Sequence, residues 1–497
     1  MAPGRIVAVI DVGSNSVRLL VARQLSPGAF EVIDEERYDA RLGAGQDAAG
    51  LTQEAIARGI RAMRLMSQVA RSHAPSAIVA VGTEALRRAP NAFLLLDEVE
   101  RETGLRVRIL STDEEAYASF LGVVNSTLIR DGAIVDIGGG SLEYMTVRQR
   151  RLAASTSAPL GAIYARERYL KGDPPTAKEV RALRRAVNQA FAVEPSPGML
   201  VGVGGAIRNL ARIVRLRRGY PLRRIHGLTI ARREVRALAR SLAQVDSDAR
   251  RRMPGVSSAR GDIIHSAAIV VDELMEMAKA SQLIVSGQGL REGLLWQELR
   301  GESAILPDVR AASISGLARA NGVDELAAEP VVSVAATLFD ATAREHAYGR
   351  AELDLLVAAA RLASIGMHID YYDRERHGQY LVYSGDLHGF SHREIVLLGA
   401  IVRCADAGSP DLSLYRSLIE PDDVRRVTML ATLLGLARAT RRRMPSPVHD
   451  VRVIAEDGAL CLHLSGSSPL DAELVAVCRH ERRVESVLGL KLRVSAS

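Results

Sequence analysis

Two short segments of this chain carry the same kinds of side chain in the same order. Asp11-Val12-Gly13-Ser14-Asn15-Ser16-Val17-Arg18 follows an apolar run at residues 6–10, and Asp136-Ile137-Gly138-Gly139-Gly140-Ser141-Leu142-Glu143 follows another at 133–135. A turn of glycine and serine between two strands converges backbone N–H groups and hydroxyls on an anion, and an aspartate at the strand end can hold a divalent cation directly or through water. One such turn is commonplace. Two in register are specific: Asp11 matches Asp136, Gly13 matches Gly138, Ser16 matches Ser141, and Arg18 falls opposite Glu143. The pair predicts a phosphate clamp built from Ser14, Asn15, Ser16, Gly138, Gly139, Gly140 and Ser141, with a divalent cation held near Asp11, Asp136 and Glu143.

The elements needed to position these groups are legible around them. Each segment reads as a hairpin, an apolar strand on either side of a polar turn. Between the hairpins, helical patterns at 52–72 and 92–103 alternate with strands at 77–81 and 107–110, an α/β arrangement. After the second hairpin, a strand at 199–203 runs into Gly204-Gly205, and one at 283–286 runs into Gly287-Gln288-Gly289. Glycine directly after a strand marks the carboxyl end, where open α/β sheets bind ligands, so Gly204 and Gly205 join the candidate phosphate site. Residues 301–307 read as a linker, residues 309–443 as nearly all helix, and 448–494 as a small α+β unit with a helix over 471–486.

The composition sets bounds. At 497 residues the chain is long enough for about three or four domains. Its 47% hydrophobic and 25% charged residues are those of a globular protein, and no apolar run of membrane-spanning length occurs. Residues 1–10 lack the pattern of a secretory leader, so the expectation is a cytoplasmic protein with no membrane partner. Cys404, Cys461 and Cys478 are scattered and predict neither a disulfide framework nor a zinc knuckle. The net charge of +7 is carried almost wholly by arginine, which suits phosphate but is also what genome composition produces.

Further motifs lie at Thr83-Glu84-Ala85-Leu86-Arg87-Arg88, Glu114-Glu115-Ala116, Pro159-Leu160-Gly161-Ala162, Gly204-Gly205-Ala206-Ile207-Arg208, His226-Gly227-Leu228 and Leu290-Arg291-Glu292-Gly293. With the two hairpins, they resemble the exopolyphosphatase and guanosine pentaphosphate phosphatase family from residue 6 to about 299, and more weakly beyond. The resemblance implies two ribonuclease H-like lobes of the actin and sugar-kinase superfold at 1–125 and 126–300, an all-α HD-like domain at 308–445, and the α+β unit at 446–497. Two acids at a helix start would ordinarily complement its dipole; the resemblance instead makes Glu115 the general base and puts Arg18 and Arg87 on phosphate-contacting positions. In Ala360-Arg361-Leu362-Ala363-Ser364-Ile365-Gly366, Ala363 and Ser364 stand where the family's helical domain carries a metal-ligating pair. A metal centre there is not expected, and His368, His377, His388 and His392 form only a loose set.

The function implied is magnesium-dependent (or other divalent-cation-dependent) hydrolysis of the terminal phosphate of inorganic polyphosphate. The alternative is hydrolysis of guanosine pentaphosphate, with guanosine tetraphosphate a further possible ligand; a homodimer is implied by the same resemblance. A sugar kinase would need an aspartate base and an adenosine pocket, which the Glu114-Glu115-Ala116 loop argues against. A non-catalytic polyanion-binding protein would require loss of a catalytic group, and none is missing.

Overall fold

The computed structural model describes residues 4–497 other than 47, 194, 196, 197 and 444. The chain divides into two compact units, one ending at Val309 and one spanning Arg310–Ser497.

The first unit contains both lobes. Lobe I comprises β1 (Ile6–Val12), β2 (Val17–Ser26), β3 (Ala29–Tyr38), α1 (Gln53–Ser72), β4 (Ala77–Gly82), α2 (Glu84–Arg88), α3 (Ala92–Thr103), β5 (Arg108–Ile109) and α4 (Thr112–Val124). Its sheet runs β3-β2-β1-β4-β5, antiparallel across the first three strands and parallel across the rest. Helix α1 begins because the Thr52 hydroxyl accepts from Ala55 N, and it buries Ala55, Gly59, Ala62, Met63, Met66 and Ala70 at three- and four-residue spacing.

Lobe II comprises β6 (Gly132–Ile137), β7 (Leu142–Arg148), β8 (Arg151–Ala158), α5 (Ala162–Tyr169), α6 (Ala177–Ala190), β9 (Met199–Val203), α7 (Gly205–Arg217), β10 (Thr229–Ala231), α8 (Arg232–Ala243), α9 (Ser247–Arg252), α10 (Ile264–Met277), β11 (Gln282–Val285) and α11 (Leu290–Arg300). Its sheet repeats the lobe I order as β8-β7-β6-β9-β11, with β10 added at the edge. This is the duplicated ribonuclease H-like topology. Strands β1 and β6 are central in their sheets and almost wholly buried, which is why both read as continuous apolar runs.

Two glycine contacts join the lobes. A Cβ on Gly293 of α11 would lie 1.7 Å from the Ala118 carbonyl oxygen of α4, and one on Gly122 would lie 2.2 Å from Gly289 O. The two helices therefore touch backbone to backbone, and α4 is fixed over the gap between the sheets. The segment expected as a linker is instead packed: Asn125 donates to Ala304 O at 2.7 Å and accepts from Leu306 N at 2.8 Å, and Ala304 joins the core around Phe120. Its glycine and proline content hid a buried polar anchor.

The second unit contains α12 (Val309–Ala320), α13 (Glu325–Ala341), α14 (Ala343–His346), α15 (Arg350–Leu362), α16 (Arg374–Ser384), α17 (His392–Cys404) and α18 (Asp423–Ala439), then β12 (Val448–Glu456), β13 (Ala459–Gly466), α19 (Asp471–Cys478), α20 (Glu481–Leu488) and β14 (Lys491–Ala496). The single helix expected over 471–486 is two helices broken at Arg479-His480, and β14, not expected, lies parallel to β13. Among the described residues no helix is long and apolar enough to cross a membrane.

Candidate active site

The hairpins form as the sequence implies. In the first, Asp11 pairs with Arg18 and Val12 with Val17, and Gly13 N donates to Ser16 O at 3.2 Å. In the second, Asp136 pairs with Glu143 and Ile137 with Leu142, and Gly138 N donates to Ser141 O at 3.1 Å. The turn carbonyls are held from behind. Arg41 N and Gly43 N donate to Asn15 O and Ser14 O, while Gly161 N, Ala162 N and Ile163 N at the start of α5 donate to Gly140 O, Gly138 O and Gly139 O. With the carbonyls drawn back, the turns present N–H groups forward, the polarity an anion needs.

The two tips touch. A Cβ on Gly139 would stand 3.1 Å from Ser14 Cβ and 3.4 Å from Asn15 N, and one on Gly140 would stand 2.8 Å from Glu84 Cγ. Side chains at the second tip would wedge the lobes apart, so glycine there is a requirement of closeness. Behind the tips lies a cleft lined by Asp11, Ser14, Asn15, Ser16, Arg18, Glu115, Asp136, Gly138, Gly139, Gly140, Ser141, Glu143, Gly204 and Gly205. Of the expected site residues, only Arg87 is not on its wall.

Helix α4 separates the two adjacent glutamates. Glu114 closes a capping box: its carboxylate accepts from Ser111 N at 2.7 Å and its own N–H donates to the Ser111 hydroxyl at 3.2 Å. Glu115 points into the cleft, where Arg87 Nη1 donates to Oε2 at 2.9 Å. The same guanidinium donates to Leu110 O at 2.8 Å and to Glu84 Oε2 at 2.9 Å. Arg87 thus holds the glutamate rather than facing the cleft. One turn further along α4, the Ser119 hydroxyl donates to Asp136 Oδ2 at 2.6 Å, so a single helix face reaches both the candidate base and a lobe II aspartate.

The cleft brings buried acids and guanidiniums into one another's fields. Burial pushes the Glu115 carboxyl up to about 7, with Arg87 opposing the shift. Burial pushes Asp11 up to about 6 against Arg18 and Arg291, and its Oδ1 is buried with no hydrogen-bond partner. Asp136 is raised by burial, and Glu143 is raised well above the carboxylate range by burial and then by Glu115 and Asp136. Burial and then Arg208, Arg291 and Arg260 bring Arg18 down to about 9. Burial likewise brings Arg260 to about 10.

Arg208 and Arg260 are cleft cations to which sequence reasoning gave no role. Arg208 follows the Gly204-Gly205 turn by one helical turn and donates to Gly287 O at 2.9 Å, so its place beside that motif was a usable signal. Arg260 ends a single 3-10 turn, Ser258–Arg260, without such a signal. It is found only through space: a Cβ on Gly205 would meet Arg260 Nη2 at 2.1 Å and Arg18 Nη2 at 3.2 Å. Gly205 is therefore the platform over which two guanidiniums converge.

A divalent cation has partial support. Among the described residues no group of three His, Cys, Asp or Glu side chains could cage a metal. Magnesium, however, is usually held by one or two carboxylates with water and substrate phosphate completing its shell. An orphaned Asp11 oxygen and two acids, Asp136 and Glu143, raised first of all by burial suit that mode.

The sequence profile of the Ppx/GppA phosphatase family matches residues 20–302, and that of Ppx/GppA phosphatase domain III matches residues 309–468. A solved Ppx/GppA family member from Aquifex aeolicus is 29% identical, with a TM-score of 0.54, covering 60% of this chain and 99% of its own. An exopolyphosphatase from Cytophaga hutchinsonii, 21% identical over 60% of this chain and 99% of its own, shares the fold with a TM-score of 0.54.

Proposed function

The chain belongs to the Ppx/GppA phosphatase family and is a hydrolase acting on phosphoric anhydrides; from that premise we propose that it removes the terminal phosphate of inorganic polyphosphate with Glu115 as general base. The observation that carries this reading is the buried Glu115, held by Arg87 and aimed into a cleft that Arg18, Arg208 and Arg260 also line. The turn amides of both hairpins, with Arg18 and Arg260, hold the non-bridging oxygens of the terminal phosphate. A water beside Glu115 attacks phosphorus in line: the new O–P bond forms, the bridging P–O bond breaks toward the remaining chain, and the water proton passes to Glu115. A carboxyl near 7 is half ionised at neutral pH and strong enough as a base to matter. Magnesium bound by Asp136, Glu143 and Asp11 would supply charge neutralisation for phosphate oxygens. Arg87 acts as a positioning residue for Glu115.

Guanosine pentaphosphate hydrolysis is the second reading. A cavity of about 210 Å³ adjoins the tips, and the Arg88 guanidinium lies 5.3 Å above the Tyr164 ring on its wall, a surface able to receive a nucleoside. The test is phosphate release from long polyphosphate, tripolyphosphate and guanosine pentaphosphate in parallel. Turnover of both polyphosphates well above the nucleotide supports the first reading; nucleotide turnover alone supports the second; release from none contradicts both.

A further inference from the structure

The second unit contains a cavity of about 760 Å³ that the catalytic reading does not use. Its size falls within the roughly 300–1,000 Å³ range of small-molecule sites. It lies where the C-terminal ends of α15, α18 and α19 meet the starts of α13 and α16. Ala363 and Ser364, which stand in place of a metal-ligating pair, line it, and the small side chain of Ala363 leaves that part of it open.

Its walls differ in character. One carries Arg374, Arg438, Arg441, Arg442 and Arg479 against two acids, Asp324 and Asp406. Both acids are already engaged. Asp324 caps α13 by accepting from Leu326 N at 3.0 Å, and Asp406 accepts from Arg374 Nη2 at 3.1 Å and from Arg438 Nη1 at 2.9 Å. That leaves Arg442 and Arg479 without a carboxylate, whereas Arg441 donates Nη1 to Val448 O and lies in the field of Asp450. Among the described residues Arg442 and Arg479 form no ion pair, and Arg441 keeps a buried Nε with no hydrogen-bond partner. Another part of the lining is apolar, formed by Ala327, Ala328 and Val331 of α13 with Ala360, Ala363 and Met367, and the Arg374 guanidinium lies 4.9 Å from the Tyr371 ring centroid.

Inorganic phosphate or polyphosphate would satisfy the cationic wall and leave the apolar one facing water. A ligand with both a planar apolar body and phosphate groups satisfies both. We propose that this cavity is a nucleotide site, separate from the catalytic cleft, that takes a heterocycle against the α13–α15 wall and phosphates against Arg442 and Arg479.

The test is equilibrium dialysis of the full chain with radiolabelled ADP and, separately, GDP, without divalent cation so that nothing turns over. The proposal expects saturable binding of one nucleotide that excess tripolyphosphate does not abolish. Arg442→Glu/Arg479→Glu should weaken it by about tenfold or more, and Ala363→Phe should weaken it by filling the apolar half. Arg18→Gln, in the catalytic cleft, should leave it unchanged. Melting temperatures report whether each variant is folded; the exposed double substitution keeps the test decisive if Ala363→Phe is not. Absence of saturable binding up to about millimolar nucleotide, or binding lost in Arg18→Gln and retained in the double variant, would overturn the proposal. So would tripolyphosphate binding with nucleotide-like affinity and the same sensitivity to Arg442 and Arg479, since the apolar wall would then contribute nothing.

Discussion

Asp11 faces Arg18 across the first hairpin, and Asp136 faces Glu143 across the second. The backbones correspond in register and in the glycine N–H donated to the serine carbonyl in each turn. The chemistry does not correspond. The first hairpin sets an anion beside a cation, and Arg208, Arg260 and Arg291 crowd that cation. The second sets two acids side by side, and Glu115 of α4 joins them. The tips differ as well, because Gly139 and Gly140 fit against Ser14 and Glu84 only without side chains. On the proposed reading, a repeated backbone supplies two turns suited to an anion, and a single exchanged position, Arg18 against Glu143, gives one hairpin a cation for phosphate and the other an acid for a metal ion.

The largest expected effect breaks the acidic side of that comparison. Glu115→Gln keeps the side chain's shape and removes its basicity, so kcat should fall by about 10²–10⁴ while polyphosphate binding persists. Glu114→Gln is the internal control. It loosens a helix cap and should cost far less, and equal losses in the two variants would assign both glutamates to structure.

The pH dependence sharpens the same comparison. Glu115 must be ionised to accept a proton, so kcat should decline as pH falls through about 7. Arg87→Met removes the cation that favours the ionised carboxylate and should move this limb to higher pH. An unmoved limb would leave Arg87 a purely structural residue.

A smaller effect concerns stability. Asp11 and Glu115 have native values of about 6 and 7, above their ordinary ones. Between the ordinary and raised values the native state binds the extra protons, so their contribution to stability is present at low pH and lost as pH rises through the native values. Without divalent cation, the melting temperature should decrease from about pH 4.5 to about pH 7 and level off above it, less steeply in Glu115→Gln, and magnesium should reduce the decline. A slope unchanged by the substitution would mean that the buried acids are compensated by some other group.

What was legible in the sequence was local. Hairpin register, strand-end glycines and amphipathic helices are written in neighbouring residues, and the folded chain contains them. The Ser111–Glu114 capping box was also readable, and it would have separated Glu114 from Glu115 on physical grounds. The phosphate-contacting role of Arg87 rests on the resemblance alone, and its bond to Glu115, 28 residues away, is written in no local pattern. Arg260 reaches the cleft only by tertiary folding, over a glycine far from it in sequence. Composition misled at 301–307, where backbone groups are tied to Asn125. The strand β14 was missed because its register with β13 is a long-range property.

The division between the hairpins is tested most directly by measuring two constants in two variants. KM for tripolyphosphate and the magnesium concentration for half-maximal rate are determined in Arg18→Gln and Glu143→Gln. Removing one charge-assisted contact is worth about tenfold to a hundredfold. Arg18→Gln should raise KM by that factor with the magnesium requirement unchanged, and Glu143→Gln should raise the magnesium requirement with KM at saturating metal unchanged. If both variants shift both constants alike, the hairpins do not divide phosphate from cation, and that division is not the basis of activity.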